Sequence, residues 1–530
     1  MLGPERAIAG RAFADGRVRT IAFGFLFAGI AYIQPVTYRE TYPKLADRLA
    51  FARSFGENKA IRLFYGQPHD LLTTAGYTAW RVGGTLAIFA AVWGLLAAVR
   101  GLRAEEEGGR TELRLAGIVG RRSAYLSVLG AVAAGGVGLF LALFAGLVAA
   151  DLPVGGSAYL GLVVTSVVAV FVGVGAVTSQ VAPTRRIAIG LGVAVLAVSF
   201  VVRVVADTTG GVGWLLWATP LGWAEELRPF TGPRPIALIL PVCSSVVLVV
   251  LAMRLAVRRD LGSGLLAGRE SAPPGRRLLS SPAAQAVRME RGSLIVWLSG
   301  VGGFALIIGL ISDSISSAGI SKSLQRQIGK LGSGSIVTPT GYLGFVFIFF
   351  ILAVSLFGVS QVANAREEEA GQRLETLLAL PVARGRWLGG RLAIAAAGGV
   401  GLSVGAGVLA WVGADLVGVH VSFARMVEAG ANCLPVGLLF LGIAGLAFAV
   451  APRASTGIAY GIVSLAFVWD LFGALLGAPR WVVGISPFED VGLVPGEPFH
   501  AVGAIVMVGL AAVTATAAIA CFGRRDLTGA

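Results

Sequence analysis

Apolar runs of about 20 residues recur from one end of the chain to the other, separated by short polar stretches rich in Arg, and each is long enough to cross a bilayer as a helix. The runs are continuous and do not alternate polar with apolar residues, which argues against a membrane β-barrel. The pattern predicts helices at 20–36, 79–99, 124–150, 158–182, 187–206 and 235–257, then at 292–312, 340–363, 389–414, 429–451, 456–476 and 500–522. The expected fold class is therefore an all-α polytopic membrane protein of about twelve transmembrane helices.

Composition agrees with this reading. A chain of 530 residues that is 56% hydrophobic and 14% charged lacks the polar surface to coat a soluble globule. Its 75 glycines would weaken soluble helices, but they let membrane helices approach closely. The net charge of +14 has a simpler use than nucleic acid, because Arg retains loops on the cytoplasmic side. Arg6, Arg11, Arg17 and Arg19 precede the first run, which predicts a cytoplasmic N-terminus. The resulting threading puts both termini in the cytoplasm and about 28 of the 43 Lys and Arg residues on the inner side of a cytoplasmic membrane. Cys243, Cys433 and Cys521 and His69, His420 and His500 are scattered, so no metal site is expected. Trp214, Trp217, Trp223 and Trp481, with Pro220 and Pro487, mark two outer segments suited to short interfacial or re-entrant helices.

The two halves of the chain resemble each other in sequence. Arg103, Glu105, Glu106, Gly108, Arg110 and Glu112 follow the second predicted helix, and Arg366, Glu368, Glu369, Gly371, Arg373 and Glu375 follow the eighth at identical spacing. Ala182-Pro183 recurs as Ala451-Pro452, and Arg258-Arg259-Asp260-Leu261 recurs as Arg524-Arg525-Asp526-Leu527. The expected organisation is two tandem six-helix units, 1–257 and 292–530, joined by a Pro- and Arg-rich cytoplasmic linker at 258–291. An even number of spans per unit gives both copies one orientation, related by a pseudo-twofold axis along the membrane normal.

In both loops a Glu stands four residues before an Arg, Glu106 before Arg110 and Glu369 before Arg373, the order that stabilises a helix. The loops are thus expected to be helical, either as self-supporting charged surface or as docking helices with carboxylates and guanidinium groups outward and Leu374, Leu377 and Leu378 packed inward. Here the chain resembles the permeases of ABC-2 type ABC transporters, in particular duplicated actinobacterial exporters of polyketide antibiotics and other drugs. The most specific stretch runs from Arg366 to Arg386, where the acidic cluster, Gly371, Glu375, the Leu run, Pro381 and Arg384 look like the family's coupling loop. The first copy matches with Arg121 but has Ile118 in place of Pro381. The resemblance implies two coupling helices seated on two copies of a separate ATPase, which binds ATP and Mg. No cofactor is expected on this chain itself, which contains no G-x-x-x-x-G-K-[ST] phosphate loop.

Two intramembrane charges occupy equivalent repeat positions, Arg203 and Asp470, which predicts an ion pair across the axis. A local partner for Arg203 is Asp207, one turn further on. Phe89, Trp93, Phe349 and Phe350 are candidates to line an apolar cavity for a lipophilic small molecule, with lipid-facing packing as the alternative. Membrane lipid is the expected surroundings. A rival reading is a proton-coupled secondary transporter of the major facilitator type, which also has twelve helices in two halves. Such a protein carries a short turn where this chain has long, repeated charged loops. A membrane-embedded enzyme would need a polar constellation that the dispersed Asp47, Asp70, Glu225 and Glu226 do not supply.

Overall fold

A computed structural model describes residues 4–56, 62, 65–116, 119–208, 211–266, 282–317, 338–379, 381–473 and 486–526. Among these residues every regular element is helical, and eleven helices are long and apolar enough to cross a membrane. The expected span at 456–476 is helical from Ser455 to Gly473, and its remainder lies outside the described residues.

The chain folds as two compact units, Met1–Pro273 and Pro274–Ala530. The first comprises α1 (Pro4–Thr41), α2 (Leu45–Gly56), α3 (Thr74–Val99), α4 (Arg110–Leu115), α5 (Arg121–Ala149), α6 (Val154–Val181), α7 (Arg185–Thr208), α8 (Pro220–Glu226) and α9 (Ile239–Arg258). Thr73 caps α3 by accepting from the Gly76 N–H at 3.0 Å, which satisfies one of the helix's orphan donors. At its other end α3 widens into a π turn over Arg100–Ala104 before a last turn at Glu105–Glu107. Small residues set the packing. A Cβ on Gly94 would lie 2.6 Å from the Val168 carbonyl of α6, and one on Gly175 would lie 2.8 Å from the Leu95 carbonyl of α3. The two backbones therefore touch, and dispersion between close helices replaces the hydrophobic drive that lipid cannot supply.

The Trp-rich segment after α7 forms a 3₁₀ turn at Gly213–Ala218 and then α8, capped by Thr219 with Pro220 in its first turn. Trp214 and Trp217 are exposed, while Trp223 donates to the Trp217 carbonyl at 2.5 Å. Trp481, its expected counterpart, lies outside the described residues.

The second unit comprises α10 (Pro282–Ser317), α11 (Pro339–Ala370), α12 (Arg373–Leu378), α13 (Arg384–Leu416), α14 (Phe423–Ala431), α15 (Leu434–Val450), α16 (Ser455–Gly473) and α17 (Ala501–Arg524). Glycine again governs the crossings: Gly309 of α10 lies against the Ala410 carbonyl of α13, and Gly413 of α13 against the Leu306 carbonyl of α10. The core is dominated by aromatic and aliphatic side chains of α11, α13 and α15, including Phe350, Phe357, Phe440 and Phe448.

The stretch expected to be a linker, 258–291, is divided between the two units. Leu265 and Leu266 donate backbone N–H groups to the carbonyls of Gln180 and Val181 at 3.3 and 2.9 Å, which ties the segment after α9 into the first unit. From Pro282 onward the chain is already α10.

Candidate functional site

The three sequence motifs that recur between the halves converge within each unit on one polar node, at the junction of the second span, the fourth span and the last span. In the first unit Arg259, just past α9, holds Glu106 with both guanidinium arms, one of them at 2.7 Å. The Gly262 N–H donates to the same carboxylate at 2.7 Å, and Arg259 Nε donates to Gln180 at 2.8 Å. Arg103, 1% exposed, donates to the Pro183 carbonyl, to the Ser263 carbonyl at 3.1 Å and to that of Gly262 at 3.3 Å. Arg121 donates to the Arg259 carbonyl at 3.1 Å.

The second unit repeats three of these contacts residue for residue. Arg525 donates to Glu369 at 2.5 Å, Arg366 donates to the Pro452 carbonyl at 2.9 Å, and Arg384 donates to the Arg525 carbonyl at 2.6 Å. Arg525 also caps α15 by donating to the Phe448 carbonyl at 2.7 Å. Beside this lies a further buried cluster in which Arg391 bridges Glu368 and, at 2.7 Å, Glu290. Charge-assisted forks of this kind carry buried charge only because each guanidinium meets several acceptors.

This geometry corrects the expected orientation of the acidic clusters. Glu106, Glu368 and Glu369 do not face outward. They are 8%, 2% and 2% exposed and are spent on internal arginines. Nor does Glu106 pair with Arg110: Arg110 is held by Glu105 at 2.7 Å, which raises the Arg110 pKa, while Glu106 and Glu369 are held by Arg259 and Arg525. The cause is a turn between the last residues of the span and the short helix after it. Gly109 has φ +69° and Gln372 φ +57°, both in the left-handed region, so the loop is a helix, a reversal and a short second helix.

The outward face is therefore carried by other residues. Glu107, Gly108, Arg110 and Glu112 are exposed in the first unit, as are Glu367, Gly371, Arg373, Glu375 and Pro381 in the second. Leu374 is fully buried beneath α12, and Leu377 and Leu378 are half-buried. Ile118 lies outside the described residues.

The other candidates are placed as follows. Arg203 pairs with Asp207 at 3.8 Å within α7, both side chains buried, the local partner that the i,i+4 spacing offers without leaving the helix. Asp470 lies beside Ser486 and Glu489 of its own unit. Trp93 and Phe350, expected to line a cavity, are packed inside their units at 5% and 1% exposure, Trp93 against Gly135 and Phe350 between Phe304 and Phe347. Phe89 and Phe349 are each 37% exposed on the unit surface.

At the end of α3 opposite the node, a crevice of about 570 Å³ is lined by Trp80, Gly83, Leu160, Leu221, Arg203 and Glu225, among others. Gly66, with φ +78°, brings its backbone against the Glu225 carboxylate, where a Cβ would collide, and the Gln67 N–H donates to Glu225 at 2.5 Å. Burial, and then the negative charge of Asp207, push the Glu225 pKa up to about 8.

Sequence reasoning misses Arg259, Arg525, Arg391 and Glu290 as site residues. The recurrence of Arg-Arg-Asp-Leu marks the first two as equivalent, but only the fold shows that each reaches back to the loop after the second span of its unit. Nothing in the spacing of Glu290, Glu368 and Arg391 announces their meeting.

Comparison with known proteins decides the family. A family model described as the C-terminal domain of the multidrug efflux system permease Rv1217c matches residues 50–255 and 279–523. The chain belongs to this permease family. It is 32% identical over 506 residues to the multidrug efflux system permease protein Rv1217c of Mycobacterium tuberculosis, an alignment that covers 94% of this chain and 90% of that one. With eleven membrane-length helices among its described residues, this member of the family is a multi-pass membrane protein.

Proposed function

We propose that the chain is the permease subunit of an ATP-driven exporter of the ABC-2 type, built as two tandem six-helix units. It moves lipophilic or amphipathic compounds, antibiotics and drugs among them, outward across the cytoplasmic membrane by alternating access. Two copies of a separate ATPase subunit, which bind ATP and Mg, dock on the exposed charged faces around α4 and α12. The node end of each unit is cytoplasmic, as are both termini, in accord with the Arg-rich ends of the chain.

The observation that supports this reading is the recurrence of one node at equivalent positions of both units. In each, a short charged surface helix is bolted through a buried carboxylate to the last span. A push on that helix is thus passed to the bundle rather than absorbed by a floppy loop. Phe89 and Phe349, exposed on long apolar spans, are the remaining aromatic candidates for contact with a lipophilic substrate. The relative's description as part of a multidrug efflux system accords with a permissive apolar pathway.

The test is reconstitution of the chain with its ATPase in proteoliposomes. ATP-dependent movement of a lipophilic dye, absent without the ATPase, supports the proposal. Movement driven by a proton gradient alone, with no ATPase bound, establishes the secondary-transporter reading instead.

A further inference from the structure

The two nodes share three polar contacts but differ in what fills the space beside them. In the second unit an aromatic stack does so: Trp387 lies 5.5 Å from Phe522 at 27°, and Phe522 lies 5.4 Å from Phe448 at 28°. Arg525 sits over both phenylalanine rings, 5.2 and 5.1 Å from their centroids, so the clamp on Glu369 rests on aromatic faces. In the repeat register the first unit has Ala124 for Trp387, Ala256 for Phe522, Ser179 for Phe448 and Thr111 for Leu374. Every one of these exchanges removes side-chain volume. A crevice open to its surroundings lies there beside Arg259 and Glu106, with Ala124, Ala256 and Thr111 in its lining.

One wall of that crevice is apolar, with Ile8, Leu102 and Val128, and the other carries the polar groups of the node, Glu106, Arg121, Gln180 and Arg259, with Tyr125 beside them. The Tyr125 hydroxyl is buried there beside the Gln180 amide, which also accepts from Arg259 and donates to the Ala176 carbonyl, and it makes no well-formed hydrogen bond of its own. A buried hydroxyl without a well-formed hydrogen bond is stabilised when a better-placed acceptor reaches it.

We infer that the crevice under α4 of the first unit binds a flat, uncharged aromatic molecule carrying an acceptor oxygen. The ligand takes the place that Trp387 and Phe522 occupy in the second unit. Its ring face meets the Arg259 guanidinium as those of Phe448 and Phe522 meet Arg525, and its oxygen accepts from Tyr125. Occupancy stiffens the Arg259–Glu106 clamp, so the first node is ligand-responsive while the second is permanently filled. This inference rests on the side-chain exchange, the crevice and the Tyr125 hydroxyl, and holds or fails independently of the ATP-driven reading.

The probe for the test is anthraquinone, a planar neutral tricycle with carbonyl acceptors, photoactivated on the full-length chain in detergent and mapped by peptide mass spectrometry. The expected result is saturable labelling of the segments around 121–128 and 252–261. Labelling falls by at least about tenfold, the equivalent of ~1.4 kcal/mol of affinity, in Ala124→Trp and in Ala256→Phe, which supply the missing rings from the chain itself. Should either filled variant fail to fold, Tyr125→Phe keeps the shape and removes only the donor, and labelling there falls as well. Non-saturable labelling, labelling undiminished in the folded variants, or equal labelling at 384–391 and 518–525 of the second unit overturns the inference.

Discussion

Arg525 reaches from the end of the last span to Glu369 at the end of the second span of its unit, at 2.5 Å, and Arg259 makes the same reach to Glu106. In both units the contact joins residues more than 150 positions apart in sequence. It therefore closes each unit at one end, and it fixes the base on which the exposed charged helix stands.

Breaking that contact from one side takes an arginine away from a buried carboxylate. Arg525→Met is expected to destabilise the chain by about 3–5 kcal/mol, because Glu369, 2% exposed, loses the guanidinium that holds it. The double variant Glu369→Gln, Arg525→Met removes both charges and recovers much of the loss. Thermal unfolding of the four members of the cycle in detergent measures this, and additive losses would show that the pair is not coupled.

Arg391 serves two carboxylates at once, Glu290 and Glu368. Lys carries the charge but not the planar fork, so Arg391→Lys is expected to retain only part of the native stability, and Arg391→Leu less still. Equal melting temperatures for Arg391→Lys and the native chain would count against the bridge.

At the other end of the first unit, Glu225 predicts a dependence on pH. Its ordinary value of 4.5 is raised to about 8 in the folded chain, first by burial and then by Asp207. The folded state thus binds a proton that the unfolded state has released, so this contribution is complete below pH 4.5 and is lost as pH rises from about 4.5 to 8. Glu225→Gln cannot ionise and should flatten this part of the profile of melting temperature against pH. An unchanged slope would remove Glu225 as its source.

The long spans are legible from apolar run length, because a bilayer demands about 20 such residues whatever the neighbours are. Repetition of the Arg-x-Glu-Glu-x-Gly-x-Arg spacing likewise marks the loops after the second and eighth predicted helices in the amino-acid sequence itself. The direction in which the charges point is not legible there. Glu105 and Glu106 are adjacent, yet one is held by exposed Arg110 and the other is buried under Arg259, and that choice depends on a left-handed turn at Gly109 and on a helix end more than 150 residues away. Nor does run length foretell that Trp93 and Phe350 are packed within their own units while Phe89 and Phe349 stay exposed.

The central claim is that the surface helices, and not the buried acids behind them, carry the ATPase. Co-purification of the ATPase with the charge reversals Glu112→Arg and Glu375→Arg, both at exposed positions, tests it most directly. The account predicts folded, monodisperse permeases with the native melting temperature whose retention of the ATPase is weakened by each single reversal and lost in the double one. A double reversal that binds the ATPase as the native chain does would contradict it.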